Sequence, residues 1–254
     1  MICVFSFCDT DRAMALELAR HIECLGGVKT HKCILLNPTG TKSADIAAHL
    51  QDSFGVFKHV EYKPLLNGWP DGPNQCFAVA AETVFASGWK EPWLWMEADC
   101  VVTHPQWLDQ IEGEHRYCGQ PILGAFENTF GLDGKVVSQH VTGVAVYPWD
   151  WWKTCAPLRS LVDATATYRA AGNCPPAFDV YLAPYTVPKC ATGTTMRHYW
   201  KSHSYREVDG EVRCEFKVNY GGSPVVDVSA ALIHGCKDYS LLDIVQKRLC
   251  AVLS

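Results

Sequence analysis

Trp93-Leu94-Trp95-Met96-Glu97-Ala98-Asp99 is an apolar run that ends abruptly in two carboxylates spaced i, i+2. A short continuous apolar run of this kind reads as a buried strand, and its last residues deliver acidic side chains to a sheet edge. Two carboxylates held together there repel unless positive charge sits between them, and a divalent metal carrying a diphosphate is the simplest source of that charge. For an isolated Glu-x-Asp the plain alternative is a strand that merely ends in polar residues. The far end of the chain shifts the balance. Ala230-Ala231-Leu232-Ile233 runs into His234-Gly235-Cys236-Lys237-Asp238, so a second apolar strand delivers an imidazole, a glycine and an ammonium within four residues.

Upstream of the acidic run, strands and helices alternate. Residues 2–7 read as a first strand, and 9–25 as a helix with apolar positions Ala13, Leu16, Ala19 or Arg20, Ile22 and Leu25 at roughly helical spacing, stopped by Gly26-Gly27. A strand over 33–37, a helix over 43–54 and a strand over 56–62 follow, and a helix over 74–87 feeds the acidic strand. Over the first hundred residues this order predicts an α/β fold with a parallel sheet flanked by helices, whose ligand crevice lies at the carboxyl ends of the strands. The later part is less regular, with strands expected at 122–126 and 141–147 and helices at 149–162 and 177–183, while 189–206 has little periodicity. With no repeat and no linker composition, the 254 residues read as one domain, about 1–100 forming a nucleotide-binding half and about 101–254 an acceptor half.

Composition narrows the function classes. A hydrophobic content of 48% supplies a core, and a net charge of −5 with 19% charged residues argues against a general nucleic-acid field. Thirteen cysteines are spread from Cys3 to Cys250 without a Cys-x-x-Cys pair, which reads as reduced thiols rather than a disulfide framework or a zinc site. The start, Met1-Ile2-Cys3-Val4-Phe5-Ser6-Phe7, has no basic leader, and no stretch has the length of a membrane span. A soluble, cytoplasmic catalytic domain is expected.

Together, the acidic motif and the late histidine resemble the nucleotide-sugar glycosyltransferases of the GT-A fold. Glu97-Ala98-Asp99 is similar to that family's Asp-x-Asp motif, with Glu in the first place, and His234 to its C-terminal histidine. The resemblance implies a mixed, Rossmann-like sheet and transfer of a hexosyl or pentosyl group from a nucleoside-diphosphate sugar, with a UDP-sugar the first donor to consider. It also implies a Mn or Mg ion on Asp99 and His234, Lys237 and Gly235 beside the diphosphate, and Glu97 reaching the ribose or the metal through water. The plain alternative for His234 is a core-edge histidine satisfied by backbone.

Other candidates carry two readings each. Asn74, placed at a helix start in Gly72-Pro73-Asn74, either receives an anionic ligand among N-terminal amides or simply caps the helix. Asp9 and Asp11 follow the first strand, where the nucleobase would rest, and equally suit the first turn of a helix. Many relatives place an acid after the second strand to read uracil, whereas this chain has Asn37. Asp179, in Pro175-Pro176-Ala177-Phe178-Asp179, is the candidate general base for an acceptor hydroxyl, or an acid favoured by its helix dipole. Thr142 and Gly143 either line the sugar pocket or serve packing.

For the acceptor, the run from Lys189 to Arg206 interleaves Lys189, Arg197, Lys201 and Arg206, with His198 and His203, among Tyr199, Trp200 and Tyr205. Cations between aromatics suit an anionic, stackable partner, and a flipped-out hydroxymethylated pyrimidine in DNA fits that description. Phage-encoded DNA glycosyltransferases are similar in their compact build. The same residues equally suit a lid over the donor diphosphate. Two other classes compete. A sugar nucleotidyltransferase would open with a Gly-rich basic loop, which Phe7-Cys8-Asp9-Thr10-Asp11 lacks, and a non-catalytic sugar- or nucleotide-binding module would lose the metal set.

Overall fold

The computed structural model describes residues 1–130, 136–199, 202–216 and 224–253. The strands are β1 (Ile2–Ser6), β2 (Val28–Pro38), β3 (Phe54–Tyr62), β4 (Trp93–Glu97), β5 (Cys100–Val102), β6 (Ile122–Gly124), β7 (Phe126–Phe130), β8 (Val136–Val141), β9 (Val146–Tyr147), β10 (Cys190–Thr192), β11 (Met196–His198), β12 (Ser202–Val208), β13 (Glu211–Phe216) and β14 (Leu232–His234). The helices are α1 (Arg12–Cys24), α2 (Ala44–Ser53), α3 (Asp71–Ala86), α4 (Trp107–Cys118), α5 (Trp151–Thr154), α6 (Ala156–Arg159), α7 (Leu161–Ala170), α8 (Phe178–Tyr181), α9 (Ala183–Thr186) and α10 (Ser240–Leu253).

Among the described residues the main sheet has the order β10-β6-β9-β4-β1-β2-β3. β1 runs parallel to both β2 and β4, with Ser6 opposite Leu36 on one side and Glu97 on the other, while β9 is antiparallel to β4. The sheet is therefore mixed, as expected. Chain progress from β1 goes outward through β2 and β3 and then reverses to β4, so the switch point lies between β1 and β4 and the crevice opens where Glu97 ends its strand. Central parallel strands are covered on both faces, which explains why Ile2 to Phe5 and Trp93 to Met96 are apolar at every position and buried.

Within β4 the pleat sorts the side chains. Trp93, Trp95 and Glu97 share a face because alternate residues point the same way. The two indoles pack against Phe77 from α3, with ring centroids 5.5 and 5.4 Å away, and Phe77 stacks on Phe178 of α8 at 4.1 Å. Glu97 is the next member of that stripe and reaches the rim of this aromatic cluster.

Past Glu97 the chain does not continue the main sheet. Ala98 and Asp99 turn, and β5 joins a smaller sheet of order β11-β14-β5. This small sheet separates two cores. Cys100, Val102, Met196 and Leu232 belong to the large one, while Val101 and Ile233 face a second cluster with Val212, Cys214, Leu241 and Val245 from the β12–β13 hairpin and α10.

Several boundaries differ from the sequence expectation. The helix expected from residue 74 starts at Asp71, and α1 buries Ala15, Leu18, Ala19 and Ile22, while Ala13 is exposed. The strand expected over 141–147 breaks into the end of β8 and the short β9, because residues 142–145 cross between them. The helix expected over 149–162 is divided into α5 and α6 and the start of α7. All thirteen cysteines are free thiols. Among the described residues no helix is long and apolar enough to cross a membrane.

Candidate active site

β4 and β14 bring the acids and the imidazole together from opposite directions. β14 lies antiparallel to β5 with His234 opposite Cys100, and the ladder continues as the Cys236 N–H donates to the Asp99 carbonyl at 2.9 Å. This return is possible because Gly235 adopts φ 95°, a conformation that side chains disfavour. His234 Nε2 thereby sits 3.2 Å from Asp99 Oδ1 and 3.4 Å from Glu97 Oε2. Lys237 extends from the same turn to pair with Asp99 Oδ2. Trp95 fixes the other end of Glu97 by donating its indole N–H to Oε1 at 2.9 Å.

The electrostatics follow from burial and charge. Burial would raise the Asp99 carboxyl, but the charge and hydrogen bond of His234, reinforced by Lys237, hold it well below the usual carboxylate range. Glu97 is lowered in the same way, with His234 outweighing burial and the repulsion of Asp99. Burial opposes a charged His234, yet the two carboxylates push its pKa up to about 10. A buried Asp99 and a half-buried Glu97 thus call for positive charge between them, which is the property of a cation site. Their oxygens and a His234 nitrogen all lie within 4.8 Å of one another, a donor set of two carboxylates and one imidazole that fits a divalent ion.

A second group adjoins the first across Gly143. A Cβ on Gly143 would stand 2.8 Å from Phe178 Cζ and 3.4 Å from Glu97 Oε1, so only glycine lets the 142–145 crossing pass between the aromatic cluster and the acid. Next to Phe178, in the first turn of α8, is Asp179, which accepts the Val180 N–H at 2.9 Å and has Oδ2 3.8 Å from His140 Nε2. Burial raises the Asp179 carboxyl, His140 counteracts it, and the negative charge of Glu97 adds to the rise. His140 is buried and its Nδ1 has no hydrogen-bond partner.

Not every sequence candidate joins these groups. Asn74 lies one turn inside α3, where its N–H is bonded to the Pro70 carbonyl, so it neither opens the helix nor offers a free amide. Its side-chain amide donates to Thr165 Oγ1 and the Pro176 carbonyl, both at 3.0 Å, tying α3 to the segment that leads into Asp179. Asp9 lies in a 3-10 turn beyond the carboxyl end of β1, exposed at the same edge of the sheet as Glu97.

In the cation-aromatic run, Arg197 pairs with Asp227 at 3.2 Å and Arg206 with Glu215 at 2.7 Å. Lys189 lies over the Trp151 ring at 5.3 Å, and the Tyr199 hydroxyl accepts the Asp227 N–H at 2.9 Å. Trp200, Lys201 and the side chain of His203 lie outside the described residues. The run's structural effect is to carry the chain from β10, at the edge of the main sheet, to β11, which sets His198 beside His234. Sequence reading placed His198 in the acceptor-or-lid run rather than beside His234, and missed His140 and Glu127 as site residues. Glu127 and His140 are cross-strand partners in the β7–β8 hairpin, a pairing that only register discloses.

No known protein-family signature matches the chain, and no curated protein matches it in sequence. Its architecture does have counterparts. The galactosyltransferase LgtC, solved in complex with donor and acceptor sugar analogs, aligns over 94% of this chain and 88% of its own at 12% identity, with a TM-score of 0.51. The fold is GT-A. Two further structures align less extensively: the glycosyltransferase GlyE of Streptococcus pneumoniae TIGR4 (16% identity, TM-score 0.47) and S. aureus TarS 1-349 in complex with UDP-GlcNAc (13% identity, TM-score 0.40). They align with 75% and 60% of this chain respectively, and this chain spans 45% of the GlyE chain and 46% of the TarS chain. In this GT-A fold the acid–imidazole cluster occupies the switch-point crevice of the main sheet.

Proposed function

We propose that the protein is a metal-dependent glycosyltransferase that moves a sugar from a nucleoside-diphosphate donor to a hydroxyl acceptor. The observation that carries this reading is the convergence of Glu97, Asp99 and His234 at the carboxyl end of β4 in a GT-A fold. Asp99 and His234 would hold Mn or Mg, with Glu97 beside them. A divalent cation bound there supplies Lewis-acid charge to the diphosphate leaving group. Lys237, more than half exposed and anchored on Asp99, adds a mobile point charge for the same oxygens. The Gly235 turn brings the Lys237 side chain to Asp99 beside the crevice, and Asp9 borders the place for the base. Asp179, its carboxyl raised by burial, takes the proton of the acceptor hydroxyl as general base, or orients a sugar hydroxyl if configuration is retained.

A UDP-sugar is the first donor to test. The walls around Asp179 are the first place to look for the acceptor class, because among the described residues of 189–206 Arg197 and Arg206 are ion-paired and Lys189 is stacked. A hydroxymethylated pyrimidine in DNA is therefore the second acceptor to try, after small glycans. The assay follows nucleoside-diphosphate release from a panel of donors with and without Mn²⁺, alongside thermal shift. Mn²⁺-dependent stabilisation by one donor and its loss in Asp99→Ala and His234→Ala, with both variants folded, is the expected result. Full turnover in either variant sinks the metal assignment. Pyrophosphate release from a nucleoside triphosphate and a sugar phosphate would instead identify a nucleotidyltransferase, and binding without turnover a sugar- or nucleotide-binding module.

A further inference from the structure

His234 is not the last imidazole in its line. His198, on the neighbouring parallel strand β11, stands opposite it in register, with ring centroids 4.4 Å apart. The two Nδ1 atoms face each other at 2.6 Å, and on the far side His198 Nε2 lies 3.4 Å from Glu127 Oε2. Both imidazoles are largely buried, and His198 Nε2 makes no aligned hydrogen bond. Two facing nitrogens at this separation need one proton between them, because two lone pairs or two N–H groups would repel.

That requirement fixes the order of protons once His234 Nε2 gives its lone pair to a cation. The remaining His234 proton is then on Nδ1 and is donated to His198 Nδ1. His198, accepting there, carries its own proton on Nε2 and presents it to the Glu127 carboxylate. We propose that Glu127 and His198 are positioning residues that hold His234 in the one tautomer and ring orientation able to ligate a divalent cation. The inference rests on the metal reading above and extends it to residues that touch neither metal nor substrate. Hydrogen bonds of this kind behind a ligating histidine raise its basicity, and their loss typically weakens metal binding about 10- to 100-fold. They also explain why a short strand carries a second buried imidazole into the interior.

The test is Mn²⁺ binding without any donor, read by EPR of the free ion, with the ¹⁴N modulation of bound Mn²⁺ reporting imidazole ligation. His198→Leu should bind Mn²⁺ about 10- to 100-fold more weakly and lose the ¹⁴N signal. His198→Gln, whose side-chain carbonyl still accepts from Nδ1–H, should stay close to the wild type, and Glu127→Gln should show a smaller loss in the same direction. Thermal melts of each variant confirm the fold. Unchanged affinity and ¹⁴N coupling in folded His198→Leu overturns the proposal while leaving the metal reading standing, and equal weakening in His198→Gln overturns it as well. A wild-type protein that takes up no Mn²⁺, or binds it without ¹⁴N coupling, overturns both.

Discussion

The two walls of the crevice are built differently. The acid wall is the end of β4, a central parallel strand whose residues Trp93 to Met96 are at most 2% exposed and are locked by the cluster of Phe77, Tyr147 and Phe178. The imidazole wall is a sheet of three-residue strands, supported on one side by the large core and on the other by the smaller cluster of the β12–β13 hairpin and α10. Asp99 stands where one wall meets the other, since its carbonyl is bonded to Cys236 and its carboxylate to Lys237 and His234. An acid just past a central strand and a base on a three-residue strand are thereby held at one seam. Loss of the small core should loosen ligation before it loosens the fold.

The strongest way to probe this asymmetry is Phe77→Ala. Removing a fully buried aromatic at the centre of the cluster should cost about 3–5 kcal/mol, and chemical denaturation followed by both fluorescence and circular dichroism should show one coincident, shifted transition. Ile233→Val, on the face of β14 toward the second core, should cost about 0.5–1.5 kcal/mol. Its signature is faster amide exchange in β14 and weaker Mn²⁺ binding, with exchange in β1 and β4 unchanged. Equal protection loss in both sheets would show the walls to be one cooperative unit.

The smallest effect concerns the second group of the site. Because the folded pKa of Asp179 is raised, its contribution to stability is present below the ordinary carboxylate value of about 4 and is lost as pH rises through the folded value. Asp179→Asn should therefore melt higher than the wild type at pH 7, with the gap closing at acid pH, while acceptor transfer falls. A melting temperature lower than wild type at neutral pH would assign Asp179 a structural ion-pair role with His140 instead.

How legible the walls were follows the same division. The run ending in Glu97 and Asp99 announces a central strand because both of its faces are buried, and the alternation of strands and helices before it sets the parallel sheet. The turn after Ile233 brings His234 and Lys237 to Asp99, residues whose types and order in sequence already pointed to one place. The rest of the imidazole wall leaves little trace. Three-residue strands such as β5 and β11 are too short for periodicity, and the meeting of His198 with His234 depends on a parallel register between segments 36 residues apart. Glu127 and His140 meet across a hairpin whose pairing no local pattern specifies. α10 did have a readable stripe in Leu241, Leu242, Val245 and Leu249, which marks the second core. Arg197 and Arg206 looked unpaired because sequence does not show that Asp227 and Glu215 would reach them.

The indole of Trp95 has one further consequence. It is buried to 2% exposure, shielded from water by Phe77 and Phe178, and its N–H is bonded to the very carboxylate that faces His234. A change in the charge that Glu97 feels is therefore a change in the electric field across a fluorophore, so the protein carries an optical gauge of its own crevice without any added label.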